Sequence, residues 1–179
     1  MYPPVWQQHS GAALPWSGVA SWWSRAGGVL IDQALCAVAL GPLLVLFVIL
    51  GLATWVLGDG PGPSIVTSLL VWTGIVAAIT GPYYVLTEWL MSGQTLGKMA
   101  LRIRVVDAVT AGPMSARQAV VRWLVRFVLW VPLPLFTFGL GLLVAALDAL
   151  WPLWDDRRQA LHDKLAGTIT VTARPQPWS

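Results

Sequence analysis

Residues 34–57 read ALCAVALGPLLVLFVILGLATWVL, and this run without a charged side chain decides the fold. At 1.5 Å per residue it is long enough to cross the roughly 30 Å hydrocarbon core of a bilayer. Only a helix crosses alone, because it satisfies its own backbone groups where no water can. Two further uncharged runs follow, IVTSLLVWTGIVAAITGPYYVLT at 65–87 and FVLWVPLPLFTFGLGLLVAAL at 127–147. The reading is therefore an all-α polytopic membrane protein and not a soluble enzyme.

Composition agrees. The 179 residues are 56% hydrophobic and 11% charged, with mean hydropathy +0.67. A water-soluble domain carries about a quarter charged residues, so much of this surface does not face water. Net charge is +3, with the positive residues clustered. Clustered basic loops between apolar spans are what cytoplasmic membrane loops look like, so the expected partner is the lipid bilayer and not nucleic acid. Cys36 is the single cysteine, which excludes an intrachain disulfide and a thiolate cluster. Met1–Gly18 has no basic n-region and no apolar h-region, and residues 1–20 read as a disordered tail. A membrane domain at 21–172 and a short tail at 173–179 complete the organisation.

The first helix is expected from about Val29 to the turn-rich Gly58-Asp59-Gly60-Pro61-Gly62-Pro63, and the second from Ile65 to Leu90. Gly41-Pro42 and Gly81-Pro82 are candidate kinks. Met99–Val106 alternates apolar with polar or small residues, as does Thr168–Thr172, and the two are expected to pair as a two-stranded cytoplasmic ribbon. From Ser115 the spacing turns helical, with Ser115, Gln118, Arg122 and Arg126 on one face and Trp123, Phe127 and Trp130 on another.

Three crossings would place Arg157, Arg158, Lys164 and Arg174 outside, against the positive-inside rule. A hairpin turning at Pro132-Leu133-Pro134 gives four membrane segments with both termini inside. In an alternative, Ser115–Val131 lies in the interface as an amphipathic helix. Trp22, Trp23, Trp55, Trp89, Trp151 and Trp154 fall near the expected helix ends, as an aromatic belt does.

Arg25 and Asp32 lie two helical turns apart on one face. With Glu88, Arg122, Arg126 and Asp148 they form a charge cluster in the inner half of the membrane. A charge there costs about 2.5–3.5 kcal/mol on insertion scales, so partners are expected. One reading is structural, with Asp32 and Asp148 neutralising Arg122 or Arg126. The other is a protonatable carboxylate lining an ion path, in which Asp32 carries the proton or ion and Arg25 tunes it. Gly93-Gln94-Thr95-Leu96-Gly97-Lys98 is one residue short of a P-loop and has Met99 where Ser or Thr holds magnesium, so it reads as a turn with its lysine at the membrane surface. His162 and Asp163 have no nucleophile to serve and read as surface or packing residues. Nothing here calls for a metal or cofactor, and no catalytic constellation supports an enzyme.

In this order, Trp23-Ser24-Arg25-Ala26 with Asp32, then Gly93–Lys98 with Leu101–Asp107, then Arg157–Thr168 containing Leu161-His162-Asp163-Lys164, the chain resembles the RDD family of bacterial membrane proteins. The resemblance covers about residues 20–172 and implies a multi-pass protein of the bacterial cytoplasmic membrane. It makes Arg25 the family's arginine and Asp32 its first aspartate. The second is Asp163, with Asp155 and Asp156 as alternatives; Gly93, Gly97 and Lys98 complete the motif. It also implies transport, in some members exchange of a monovalent cation for protons, which at this size requires an oligomer. The rival expectation is an accessory subunit that binds another membrane protein.

Overall fold

Helix α1 runs Trp22–Leu57, about 54 Å long at 1.5 Å per residue, in a computed structural model that describes residues 16–57 and 64–173. It starts two turns before the expected Val29. The Ser21 hydroxyl accepts the Ser24 amide at 3.2 Å, an N-cap on the polar side of the apolar run. Pro42 lies within α1, and Pro82 within helix α2 at Ile65–Leu90. Helix α2 is capped by Ser64, whose hydroxyl accepts the Thr67 amide at 3.1 Å. The expected tails at 1–15 and 174–179 lie outside the described residues, as does the Gly58–Pro63 loop.

A short helix α3, Leu96–Ala100, follows a turn at Ser92-Gly93 and leads into strand β2, Ile103–Asp107. The expected strand from Met99 therefore begins only at Ile103, with Met99-Ala100 closing α3 and Leu101-Arg102 forming a turn. The Thr95 cap starts α3, and Arg102 in the left-handed region at φ +53° ends it. Strand β3, Thr168–Ala173, pairs antiparallel with β2 over Ile103–Asp107, as the alternation predicts. The sheet nevertheless has three strands, not two. Trp16–Val19 forms β1 on the other edge of β3, giving the order β1-β3-β2, within a segment read from sequence as tail. A four-residue strand containing Gly18 carries little alternation to read.

Helix α4, Ala116–Trp130, opens with a capping box in which Ser115 and Gln118 each accept the other's amide, at 3.3 and 2.8 Å. The chain breaks at Val131 and continues as α5, Pro132–Phe136. The hairpin turn lies beyond the prolines, at Thr137–Leu140, with Phe138 and Gly139 at φ +52° and +92°. Pro132 stands at a helix start, where its missing amide costs nothing, so it restarts the helix after a bend and does not reverse the chain. Helix α6, Gly141–Leu150, then returns and ends in a 3₁₀ turn at Trp151–Leu153. Gly141 permits the return, because a Cβ there would sit 2.6 Å from the Leu133 carbonyl carbon. Helix α7, Leu161–Ala166, is closed by Gly167 at φ +66°.

Three helical stretches are long and apolar enough to cross a membrane, Trp22–Thr54, Val66–Leu90 and Ala116–Phe136, and Gly141–Leu153 is a shorter apolar one. Their surfaces are apolar outward. Val45, Leu50, Val56 and Leu57 of α1 are more than half exposed, a surface suited to lipid and not to water. The buried core, by contrast, gathers at the sheet, around Val105, Val106, Ile169 and Val171. One sheet holds β1, β2 and β3, so the residues before α1, the stretch after α2 and the stretch after α6 all meet at one end of the bundle.

Candidate functional site

The charged residues also gather at the sheet end, and the helices bury them there. Asp32 is 1% exposed and accepts three hydrogen bonds, from Tyr83 Oη at 2.7 Å, Thr95 Oγ1 at 2.5 Å and the Gly97 amide at 2.8 Å. These donors are neutral, so Asp32 does not neutralise Arg122 or Arg126 as expected from sequence. It holds the Thr95–Gly97 turn against α1. The approach needs glycine, since a Cβ on Gly97 would lie 2.2 Å from the Gly28 carbonyl oxygen. Here the Gly93–Lys98 motif acts through its backbone.

Beside this turn runs a chain of alternating charge. Lys98 Nζ pairs with Glu88, and Arg122 Nε lies 3.4 Å from the other Glu88 oxygen. Arg122 pairs in turn with Asp163 Oδ1 and donates to Thr168 Oγ1 at 3.0 Å. Arg25 donates to Asp163 Oδ2 at 3.0 Å and to the Thr170 carbonyl at 3.0 Å. Asp163 also accepts the Ala160 amide, so one carboxylate starts α7 and binds α1, α4 and α7 together. Burial lowers Lys98 to about 8 against the pull of Glu88. The pair with Glu88 holds the lysine inside the protein and not at the membrane surface.

Asp148 belongs to a separate pair. His162 Nδ1 lies 2.9 and 2.8 Å from its two oxygens, and the His162 amide donates at 3.0 Å. The other ring nitrogen faces Asp163 Oδ1 at 3.5 Å. Burial lowers His162 from its ordinary 6.5 to about 3, Arg122 adds to this, and Asp148 opposes it. A neutral ring with its proton on Nδ1 fits the contact with Asp148. The unfolded chain takes up this proton near 6.5 and the folded chain only near 3, so stability falls as pH drops through that window. We expect the unfolding temperature in detergent to fall between pH 6.5 and 3, with a shallower fall in His162→Gln. An unchanged slope in that variant would assign the acid sensitivity to other groups.

A cavity of about 650 Å³ lies between α1, α2, α4 and α6. Helix α1 faces it with Trp22, Ala26, Val29, Gln33, Cys36 and Leu40, spaced three or four apart as one helical stripe must be. Its floor carries Arg25, Lys98, Arg122, Asp148, His162 and Asp163, and Arg126 stands on its wall over the Tyr84 ring, 4.9 Å from the ring centre. Trp22 Nε1 donates to the Ala149 carbonyl at 2.8 Å and ties α1 to the last helix.

The expected cluster of Arg25, Asp32, Glu88, Arg122, Arg126 and Asp148 is thus brought to one end of the bundle, with partners other than those expected. Asp155 pairs with Lys164 at the surface, and Asp156 is exposed. Lys98, His162 and Asp163 enter the interior, which sequence reasoning missed for Lys98 and His162.

Known proteins give a consistent picture. The family model described as "RDD family" matches residues 19–167. An uncharacterized protein of Rickettsia prowazekii, RP437, is 34% identical over 88 residues, 49% of this chain and 42% of that protein. The "Proline-rich antigen homolog" of Mycobacterium tuberculosis is 27% identical over 113 residues, 61% of this chain and 41% of that one. The "Proline-rich antigen" of Mycobacterium leprae is 30% identical over 80 residues, 45% of this chain and 27% of that protein. The chain thus spans less than half the length of these relatives. No solved structure matches it. With a family match over residues 19–167, and with Asp32 and Asp163 buried and Arg25 half-buried at one end of an apolar helical bundle, the chain is a membrane protein that belongs to the RDD family.

Proposed function

We propose that this chain is a transport-type protein of the bacterial cytoplasmic membrane, with the charge-floored cavity as its working site and Asp148 as its exchanging carboxylate. The observation that carries the reading is the cavity: ionisable side chains from α1, α3, α4, α6 and α7 converge on one space walled by apolar side chains. Charge inside a membrane protein is costly and marks substrate paths and proton relays. Asp148 and Asp163 line the cavity, whereas Asp32 is enclosed by its three donors. This favours Asp148 over Asp32 as the exchanging carboxylate.

The topology supporting this role is an even number of traverses. The single sheet ties three parts of the chain to one side, so the segment from Ala116 to Leu153 leaves and returns. The return arm at Gly141–Leu153 spans about 20 Å at helical rise, which favours a hairpin that enters the bilayer without fully recrossing it. All described basic residues lie toward the sheet end, and the positive-inside rule puts that end in the cytoplasm.

Flux in proteoliposomes holding only this protein, as the dimer or larger assembly its size calls for, tests the reading under imposed proton and sodium gradients. Flux is expected in wild type, lost in Asp148→Asn and kept in any Asp32→Asn protein that still folds. Loss in folded Asp32→Asn with retention in Asp148→Asn would reverse the assignment. A second reading, an accessory subunit for another membrane protein, is favoured by the exposed apolar surface on the outer half of α1. No flux in folded wild type, with a stoichiometric partner retained in mild detergent, would establish it.

A further inference from the structure

We propose that the cavity takes an anionic amphiphile, its acid group at Arg126 and its chain along the apolar wall toward the bilayer. This rests on the reading of the cavity as the working site and names the class of molecule it holds.

The charge count comes first. Four cations, Arg25, Lys98, Arg122 and Arg126, line the space. Three carboxylates answer them from the floor or just behind it. Glu88 pairs with Lys98 and Arg122, Asp163 with Arg122 and Arg25, and Asp148 accepts a hydrogen bond from the neutral His162 ring. Asp32, the remaining acid, is turned away into the Thr95–Gly97 turn. Among the described residues Arg126 is left without a carboxylate in ion-pair range, and its guanidinium stacks on Tyr84. A guanidinium forks two parallel hydrogen bonds to a carboxylate or phosphate, and an arginine that faces a cavity without a carboxylate partner selects an anion over a cation.

The walls supply the second half. Trp22, Leu30, Leu40, Phe127, Trp130 and Val131 are apolar, and Leu30 and Trp130 are 69% and 48% exposed. The cavity therefore opens sideways through a surface suited to lipid. Its volume is that of a small-molecule site, about 300–1,000 Å³. A small inorganic anion would leave the wall unused, and a neutral lipid tail would leave Arg126 uncompensated. A fatty acid and the head and one chain of an acidic phospholipid satisfy both.

Native mass spectrometry of the intact chain in non-ionic detergent tests this with oleate, phosphatidylglycerol, phosphatidylcholine and a cationic amphiphile of equal chain length. Retention of oleate or phosphatidylglycerol at least about ten-fold above the other two is expected, from a charge-assisted hydrogen bond. Oleate binding with no phosphatidylglycerol would identify a free acid as the ligand, and the reverse a bilayer lipid. Arg126→Gln should abolish the preference at an unchanged unfolding temperature, while Arg126→Lys keeps part of it and Val131→Trp reduces binding of every chain. Equal retention of all four, or a preference untouched by Arg126→Gln, would overturn the proposal. Selective binding without flux would leave this inference standing and sink the transport reading. Sodium–proton flux without amphiphile binding would do the opposite.

Discussion

Asp163→Ala is expected to cost about 3–5 kcal/mol, the loss seen when one partner of a buried ion pair is removed. Few single changes in this chain should cost more. The carboxylate receives Arg25 on one oxygen and Arg122 on the other, and caps α7 through the Ala160 amide. Its loss brings two guanidinium groups face to face, with Glu88 and the Thr168 hydroxyl left to Arg122 and the Thr170 and Ala20 carbonyls left to Arg25. Reversible unfolding in mild detergent measures the effect. Asp155→Ala serves as the contrast, because its partner Lys164 is solvent-exposed and a pair at the surface contributes about 0–1 kcal/mol, so the loss should be the smaller one. A loss under about 1 kcal/mol for Asp163→Ala would mean that the arginines find other partners, and that α7 is not anchored through them.

Gly93→Ala should give a comparable loss for a different reason. Gly93 has φ +86°, and a Cβ there would lie 1.8 Å from the Val105 carbonyl oxygen. The obstacle is backbone, held in place because the Val105 amide donates to the Gly93 carbonyl at 2.8 Å. Relief requires breaking that bond and moving β2 off the turn. The left-handed backbone costs a non-glycine residue about 1–2 kcal/mol, and forced overpacking about 1–3 kcal/mol more. The variant should yield little monodisperse protein in size-exclusion chromatography. Gly41→Ala, with nothing within 4 Å of the added carbon, should behave as wild type. A well-folded Gly93→Ala would show that β2 does not pack on this turn.

The long apolar helices were legible because their signal is composition: uncharged runs bounded by turn residues and tryptophan. The β2–β3 pairing was legible because alternation survives in Ile103–Asp107 and Thr168–Ala173. Three features were hidden by weaker signals. Strand β1 is four residues with Gly18 inside, so its place on β3 comes from tertiary pairing, not local pattern. The hairpin turn was assigned to Pro132–Pro134 because proline breaks helices, yet here proline starts one, and the left-handed Phe138 and Gly139 make the reversal. The site was half legible. Arg25, Glu88, Arg122 and Asp148 announce themselves as charges beside apolar runs. Lys98 and His162 lie in polar stretches that look solvated, and only the folding of the sheet beneath the bundle encloses them.

A site assembled from Arg25, Lys98, Arg122 and Asp163 requires that the stretches before α1, after α2 and after α6 occupy one side of the membrane. Single cysteines at exposed Met99, Arg117 and Arg157 in a Cys36→Ala background test this with an impermeant maleimide on spheroplasts and on inverted vesicles. All three should react in inverted vesicles and remain protected in intact spheroplasts. Reaction at Arg157→Cys from the outside, with Met99→Cys still protected, would place Asp163 across the bilayer from Lys98 and contradict the site.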